Sequence, residues 1–377
     1  MKSFARKSFC LSAAWSVARP LAALLVGSFG CGDDTTVGTG GAGGATSSSD
    51  ASSNASSSVS GSGSPQGTGG DGGSGDGGNA ETTGGTGGAG GDGTGGTGGE
   101  AAFDCDDLPA GPFEPTLFYD GFDGSEDIAF DGLGHLAGKQ GAALILVDAE
   151  LNETVLFDDD LSDAFGTRFA PDGSIVVALP GVGEVVKIDV DGSANVLADD
   201  FSGPNGIHIT MDGTVWVTEL PAGRIQTIAP GAGFGEPFLP AGEAPAANGV
   251  YVDEDRGIVF YTNYSAGEVW RVDVDGATDP QQVASVDGAA LDGLTMDVCG
   301  NIYAVDQGNS VVYRVRTDAS GDLVGEPERI ADLPTGVANA QFGRGSGFSS
   351  TTLYAAGSPG DVYAIEVGVA GAPQAGP

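Results

Sequence analysis

The chain has 377 residues, with 52 acidic against 14 basic side chains and a formal charge of −38. So large an acidic excess argues against nucleic acid or an anionic membrane surface as a partner and favours neutral or cationic ligands, divalent metal among them. Glycine supplies 68 residues, many of them ahead of residue 100. Only about 270 residues, from Phe103 onward, carry enough periodic apolar sequence to bury a core, which is the size of one ordinary all-β domain.

Residues 1–30 read as an export signal. Lys2, Arg6 and Lys7 form a positive region, and Leu21 to Phe29 an apolar run too short to span a bilayer. The sequence Ser28-Phe29-Gly30-Cys31 resembles the lipobox of bacterial lipoproteins, which implies lipidation of Cys31 and its exposure as the new N-terminus. Gly32, where Asp would signal retention, resembles the outer-membrane class. Ordinary secretory cleavage nearby is the other reading, and it leaves Cys31 as a free or paired thiol.

Residues 31–102 are Gly, Ser, Thr, Ala and Asp with almost no branched or aromatic side chains. Such a segment cannot recover the entropy of ordering, so a disordered tether is expected. A chain of this kind holds its folded domain roughly 45 Å from its anchor. Its GGTGG repeats are not phosphate loops, because no strand leads in, no helix follows and no Lys-Ser/Thr closes them.

From residue 103 to 377 the sequence repeats itself. Glu126 (GSEDIAFDGLG), Phe165, Asn205 (GPNGIHITMDG), Asn248 (AANGVYVDEDRG), Asp292 (LDGLTMDVCG) and Asn339 (VANAQFG) follow one another at intervals of 39 to 47 residues. That spacing suits a four-stranded propeller blade. Each unit runs from the aligned residue into a short strand, an Asp-Gly-type turn and a β-rich strand such as TVWVTE, IVFYTN or NIYAVD. A third strand (EVVKIDVDG, EVWRVDVDG, VVYRVRTD) and a fourth (ANVLADD, QQVASV, ERIADL) follow. The apolar residues alternate with strand period and no helical period occurs. An all-β, six-bladed propeller is predicted, with the aligned residues gathered at one mouth of its central channel.

Gathered there, Glu126, Asn205, Asn248, Asp292 and Asn339 present two carboxylates and three amide oxygens, a hard-ligand set suited to calcium. The competing explanation is that Asn-Gly and Asp-Gly are common turn formers. Glu126 does not fit that explanation. Other candidates read as structural: His208, three residues past Asn205 and so on the opposite strand face, as a packed side chain; His135 as a turn residue; Trp216, Tyr251 and Trp270 as core. No Cys-x-x-Cys or His-rich spacing supports zinc or thiol redox chemistry. With Cys10 in the signal and Cys31 at the lipid site, Cys105 and Cys299 remain, either paired or as two thiols.

The ordered pieces GSEDIAFD, PNGIHITMDG, NGVYVDEDRGIVFYTNYSAGEVWRVDVDG, LDGLTMDVCGNIYAVD and PTGVANAQFG resemble the senescence marker protein, gluconolactonase and luciferin-regenerating enzyme group of six-bladed propellers over about residues 115–370. The resemblance implies one divalent metal, most simply calcium, held by Glu126, Asn248 and Asp292, with Asn205 on metal or substrate and Asn339 as a substrate contact. It implies hydrolysis of a lactone or related ester with Asp292 as general base or nucleophile. Sugar-lactone members carry an Arg where this chain has Gly203. Arg168 reads as a surface residue, with replacement of that clamp as the alternative. A tethered, non-catalytic propeller that binds a protein or glycan around a structural metal is the second functional reading.

Overall fold

The computed structural model describes residues 103–357 and 360–377. The signal segment 1–30, the lipidation site Cys31 and the tether 31–102 lie outside the described residues. The described chain folds as six four-stranded antiparallel sheets, the blades of a β-propeller. Five blades are built in sequence order from innermost to outermost strand. Their inner strands are Ala129–Phe130, Thr167–Phe169, Pro204–Ile209, Ala247–Asp253 and Leu291–Met296.

The sixth blade is closed differently from the sequence expectation of six self-contained units. Its first three strands are Asn339–Phe342, Thr352–Ala356 and Val362–Glu366, and its outermost strand is Thr116–Tyr119, from ahead of the first blade. Thr116 pairs with Ala364 and Leu117 with Tyr363. One strand from ahead of the first blade therefore joins the last blade and locks the ring.

Apolar faces of neighbouring blades supply the core. Tyr303, Val305 and Val312 of the fifth blade pack with Ala340, Leu353 and Ile365 of the sixth, and the same layering recurs around the ring. Trp216 lies edge-on to Phe238 at 4.7 Å, and Trp270 stacks on Tyr261 at 6.5 Å. Burial of each such side chain is worth ~1.5–3 kcal/mol.

Much of the acidic excess is turn chemistry. Asp131 Oδ1 accepts the backbone N–H groups of Leu133, Gly134 and His135 at 2.8, 3.0 and 2.9 Å. Asp148, Asp172, Asp212, Asp297 and Asp318 brace their own turns in the same way. An ionised carboxylate answers several turn N–H donors at once, which neutral side chains do less well.

Two segments outside the blades seal the structure. The lead-in is held by Phe113 N–H to the Ile330 carbonyl at 2.6 Å and Arg314 Nη2 to the Pro109 carbonyl at 2.8 Å. Cys105 and Cys299 are disulfide-bonded with a Cα–Cα distance of 5.6 Å. At the other end, residues 371–377 cross the channel at the finish of the inner strands. Ala372 N–H donates to the Met296 carbonyl at 2.9 Å, Gln374 Nε2 to Thr295 Oγ1 at 3.3 Å and Arg344 Nη1 to the Ala375 carbonyl at 2.8 Å.

The disulfide joins residues 194 apart in sequence, so its loss frees a long loop in the unfolded chain. The double variant Cys105→Ser, Cys299→Ser is expected to lose ~2–5 kcal/mol in denaturant unfolding, with the strand pattern of its circular dichroism unchanged.

Candidate metal centre

Strand pairing sets the register of the six inner strands. Phe130–Leu136, Phe169–Ile175, Ile209–Val215, Val252–Val259, Met296–Ile302 and Phe342–Leu353 are equivalent pairs. Counting back four residues from each reaches Glu126, Phe165, Asn205, Asn248, Asp292 and Ala338. Five of these agree with the sequence alignment. In the sixth blade Ala338, not Asn339, holds the aligned position. The sequence alignment is off by one there because it follows polarity, and Ala338 has no polar side chain to mark it.

The next position explains the glycines. Gly166, Gly206, Gly249 and Gly293 occupy it in four blades, and none has a positive φ. They are not turn residues. A Cβ on Gly166 would lie 2.3 Å from the Asn205 carbonyl oxygen, on Gly206 2.2 Å from that of Asn248, and on Gly249 2.6 Å from that of Asp292. Asn-Gly and Asp-Gly here mark the close approach of adjacent inner strands, where only a residue without a side chain fits.

Asp127 and Asn339 fill this second position in the first and sixth blades. Each turns its side chain onto the following backbone: Oδ1 accepts the N–H of Ile128 and of Ala340, both at 2.8 Å. Asp127 is buried, and sequence reasoning missed it. Its Oδ2 accepts the Thr167 N–H at 2.9 Å and pairs with Arg168 Nη1. Arg168 is therefore not a surface residue. It is 9% exposed and also donates from Nη1 to the Thr167 carbonyl at 2.6 Å. The signal available in the sequence was Asp127 standing where four other blades have glycine, with a cation at the second residue of the neighbouring inner strand.

Below this level Ala129, Arg168, His208, Tyr251, Thr295 and Gln341 occupy one further equivalent position, all buried. Strand alternation does not place them, because the register shifts between Pro204 and Ile207, and likewise in the fourth and fifth blades. His208 packs on the Tyr251 ring at 4.6 Å, and burial, with Arg168 adding to it, pushes its pKa down to about 3. It is a neutral packed histidine. His135 is part-exposed, with Nδ1 2.6 Å from Asp131 Oδ2 at the first-blade turn.

At the mouth, charge is left uncompensated. Asp292 is 3% exposed, and its Oδ2 has no hydrogen-bond partner. Burial holds its carboxyl well above the usual range, and repulsion from Glu126 and Asp127 adds to that, while the Asn248 side chain eases it. Glu126 is pushed up to about 7 by burial and by Asp127, with Lys139 acting in the opposite direction. Tyr264, whose hydroxyl donates to Gln307 Oε1 at 2.7 Å, also feels Asp292 and Glu126 and borders the same region.

An orphaned buried carboxylate oxygen beside a second strained carboxyl and an amide fits a bound dication. Among the described residues no three His, Cys, Asp or Glu side chains form a metal cluster. A cation at the mouth would thus be held by the carboxylates of Glu126 and Asp292 and completed by the amide oxygens of Asn248 and Asn205, which suits calcium better than zinc. Arg168 pairs with Asp127, which leaves Glu126 and Asp292 as the carboxylates available to a cation. At Gly203, φ is +68° and Pro221 Cγ would stand 3.1 Å from an added Cβ, so a clamp side chain there would be strained. Arg168 is committed to Asp127.

No protein-family profile and no curated protein sequence matches the chain. Among solved structures it resembles regucalcin, a calcium-binding protein from Agrobacterium tumefaciens (15% identity, TM-score 0.57, 71% of this chain and 98% of that one). It also resembles a gluconolactonase from Xanthomonas campestris (19%, TM-score 0.55, 67% and 88%) and luciferin-regenerating enzyme (15%, TM-score 0.56, 70% and 99%). The chain shares the fold of these proteins.

A carboxyl raised from an ordinary 4.5 to about 7 binds more protons folded than unfolded, so stability falls as pH rises between those values. Without metal, the melting temperature is expected to drop from pH 5 to pH 8, and saturating calcium is expected to abolish much of that drop. Replacement of Arg168 by Met strands the Asp127 charge and is expected to cost ~3–5 kcal/mol in chemical denaturation.

Proposed function

We propose that this chain is an exported, calcium-dependent hydrolase of a lactone or related ester, acting at the mouth defined by Glu126, Asn205, Asn248 and Asp292. The observation that carries this reading is the unpartnered Asp292 oxygen beside Glu126 and Asn248. Sharing a fold with a gluconolactonase and with a calcium-binding protein supports it.

Bound calcium would polarise the ester carbonyl and stabilise the charge that develops on its oxygen. The chain's own residues then divide the work. Glu126 and Asn248 orient the reacting group, and Asn205 contacts substrate; Asn339, turned onto the Ala340 N–H, is left out of this assignment. Asp292 takes the proton from attacking water as general base. Direct attack by the Asp292 carboxylate is separable by single turnover in oxygen-18 water, which labels Asp292 only in that case. With no clamp at Gly203 and Arg168 occupied by Asp127, a small or apolar lactone is a better substrate than a polyhydroxylated one.

The signal, the lipidated Cys31 and the tether would display the domain at a bacterial outer membrane or cell surface, with the lipid as the only membrane contact. Mass spectrometry of the mature protein is expected to find Cys31 acylated. An unmodified N-terminus downstream of it would remove the anchor.

A panel of lactones and aryl esters assayed with and without chelator tests the reaction. Turnover is expected on at least one ester, lost with chelator, and reduced at least ~10³-fold by Asp292→Ala. Calcium that binds and raises the melting temperature without any hydrolysis would make the metal structural and the propeller a binding module.

A further inference from the structure

Two buried hydroxyls stand behind the candidate ligands, and the metal reading does not use them. Thr218 and Thr262 lie in the second strands of the third and fourth blades, each fully buried. Strand pairing puts Lys139, Ala178, Val305 and Ala356 at the same position in the other four blades. A hydroxyl in such a strand must find partners, and both do.

Thr218 Oγ1 accepts the Gly206 N–H at 2.8 Å and donates to the carbonyl of Asn248 in the next blade. Thr262 Oγ1 accepts the Gly249 N–H at 2.8 Å and donates to the carbonyl of Asp292 at 2.5 Å. Where the threonine is missing, the glycine N–H crosses directly: Gly166 to the Asn205 carbonyl at 3.0 Å, and Gly293 to the Ala338 carbonyl at 2.8 Å. The hydroxyl relay occurs at the two junctions whose accepted carbonyl belongs to Asn248 or Asp292.

We propose that Thr218 and Thr262 are positioning residues for the metal centre. Each hydroxyl ties the peptide of one ligand to the rigid second strand of the preceding blade, and so fixes where the Asn248 amide and the Asp292 carboxylate meet a cation. Valine has nearly the same volume but can neither accept the glycine N–H nor donate to the ligand's carbonyl. It would remove the relay, leaving the glycine N–H to reach the ligand's carbonyl directly as at Gly166 and Gly293, and so shift the ligand peptide. Serine keeps the relay. This rests on the reading of Asn248 and Asp292 as metal ligands.

Calorimetric titration of the full chain with calcium alone tests it. Thr262→Val and Thr218→Val are expected to weaken calcium binding about 10- to 100-fold, the usual effect of removing a group that orients a ligand, while Thr262→Ser stays near wild type. Thr352→Val removes a hydroxyl that donates to Glu366 Oε2 at 2.6 Å in the sixth blade. It is expected to lower the melting temperature and leave calcium affinity unchanged. If both valine variants bind calcium as wild type does, the positioning role is wrong and the metal reading survives. If the wild-type chain binds no calcium, both fall. Should Thr262→Val fail to fold, Thr218→Val decides alone.

Discussion

Neighbouring inner strands of this propeller approach within the width of a glycine, and the site depends on that closeness. At Gly166, Gly206 and Gly249 the backbone of one blade touches the carbonyl of the next blade's mouth residue, leaving no space for a Cβ. Six strands held this tightly bring their first residues onto a small circle. Side chains that would be dispersed on an open sheet are then brought together, and Glu126 and Asp127 add to burial in raising the proton affinity of Asp292. The same closeness lets a threonine hydroxyl reach both the glycine of its own blade and a ligand carbonyl of the following one.

Charge in this chain works at two scales. Most aspartates outside the channel are engaged locally, bracing the turns between strands. Their abundance reflects the number of turns that a propeller needs. Asp127 and Asp292 are different because they are withdrawn from water, and Glu126 is partly so; Arg168 pairs with Asp127 and Lys139 acts on Glu126, while the Asp292 Oδ2 has no partner. Burying the Asp292 carboxylate without a partner is costly, which is what makes this corner of the channel a candidate site.

The blade count, the order of strands and four of the polar mouth residues were legible in the sequence, because each depends on spacing within a repeat. Closure of the sixth blade by Thr116–Tyr119 was not, since one short strand ahead of the first unit carries no repeat signature. Asn339 was placed one residue out of register, because alignment followed polarity and the equivalent Ala338 has none. Asp127 was passed over, and Arg168 was read as a surface residue or a replacement clamp. Their meaning lies in the pair, formed by residues 41 apart in sequence on adjacent blades.

By itself, then, the sequence determined the repeating strand pattern, the residues that open each inner strand and the acidic turn chemistry, all consequences of local period and residue type. Only the tertiary structure decided which of those residues share a volume and what each one faces. Burial, repulsion and hydrogen-bond satisfaction depend on distances across blades, and those distances exist only once the ring has closed.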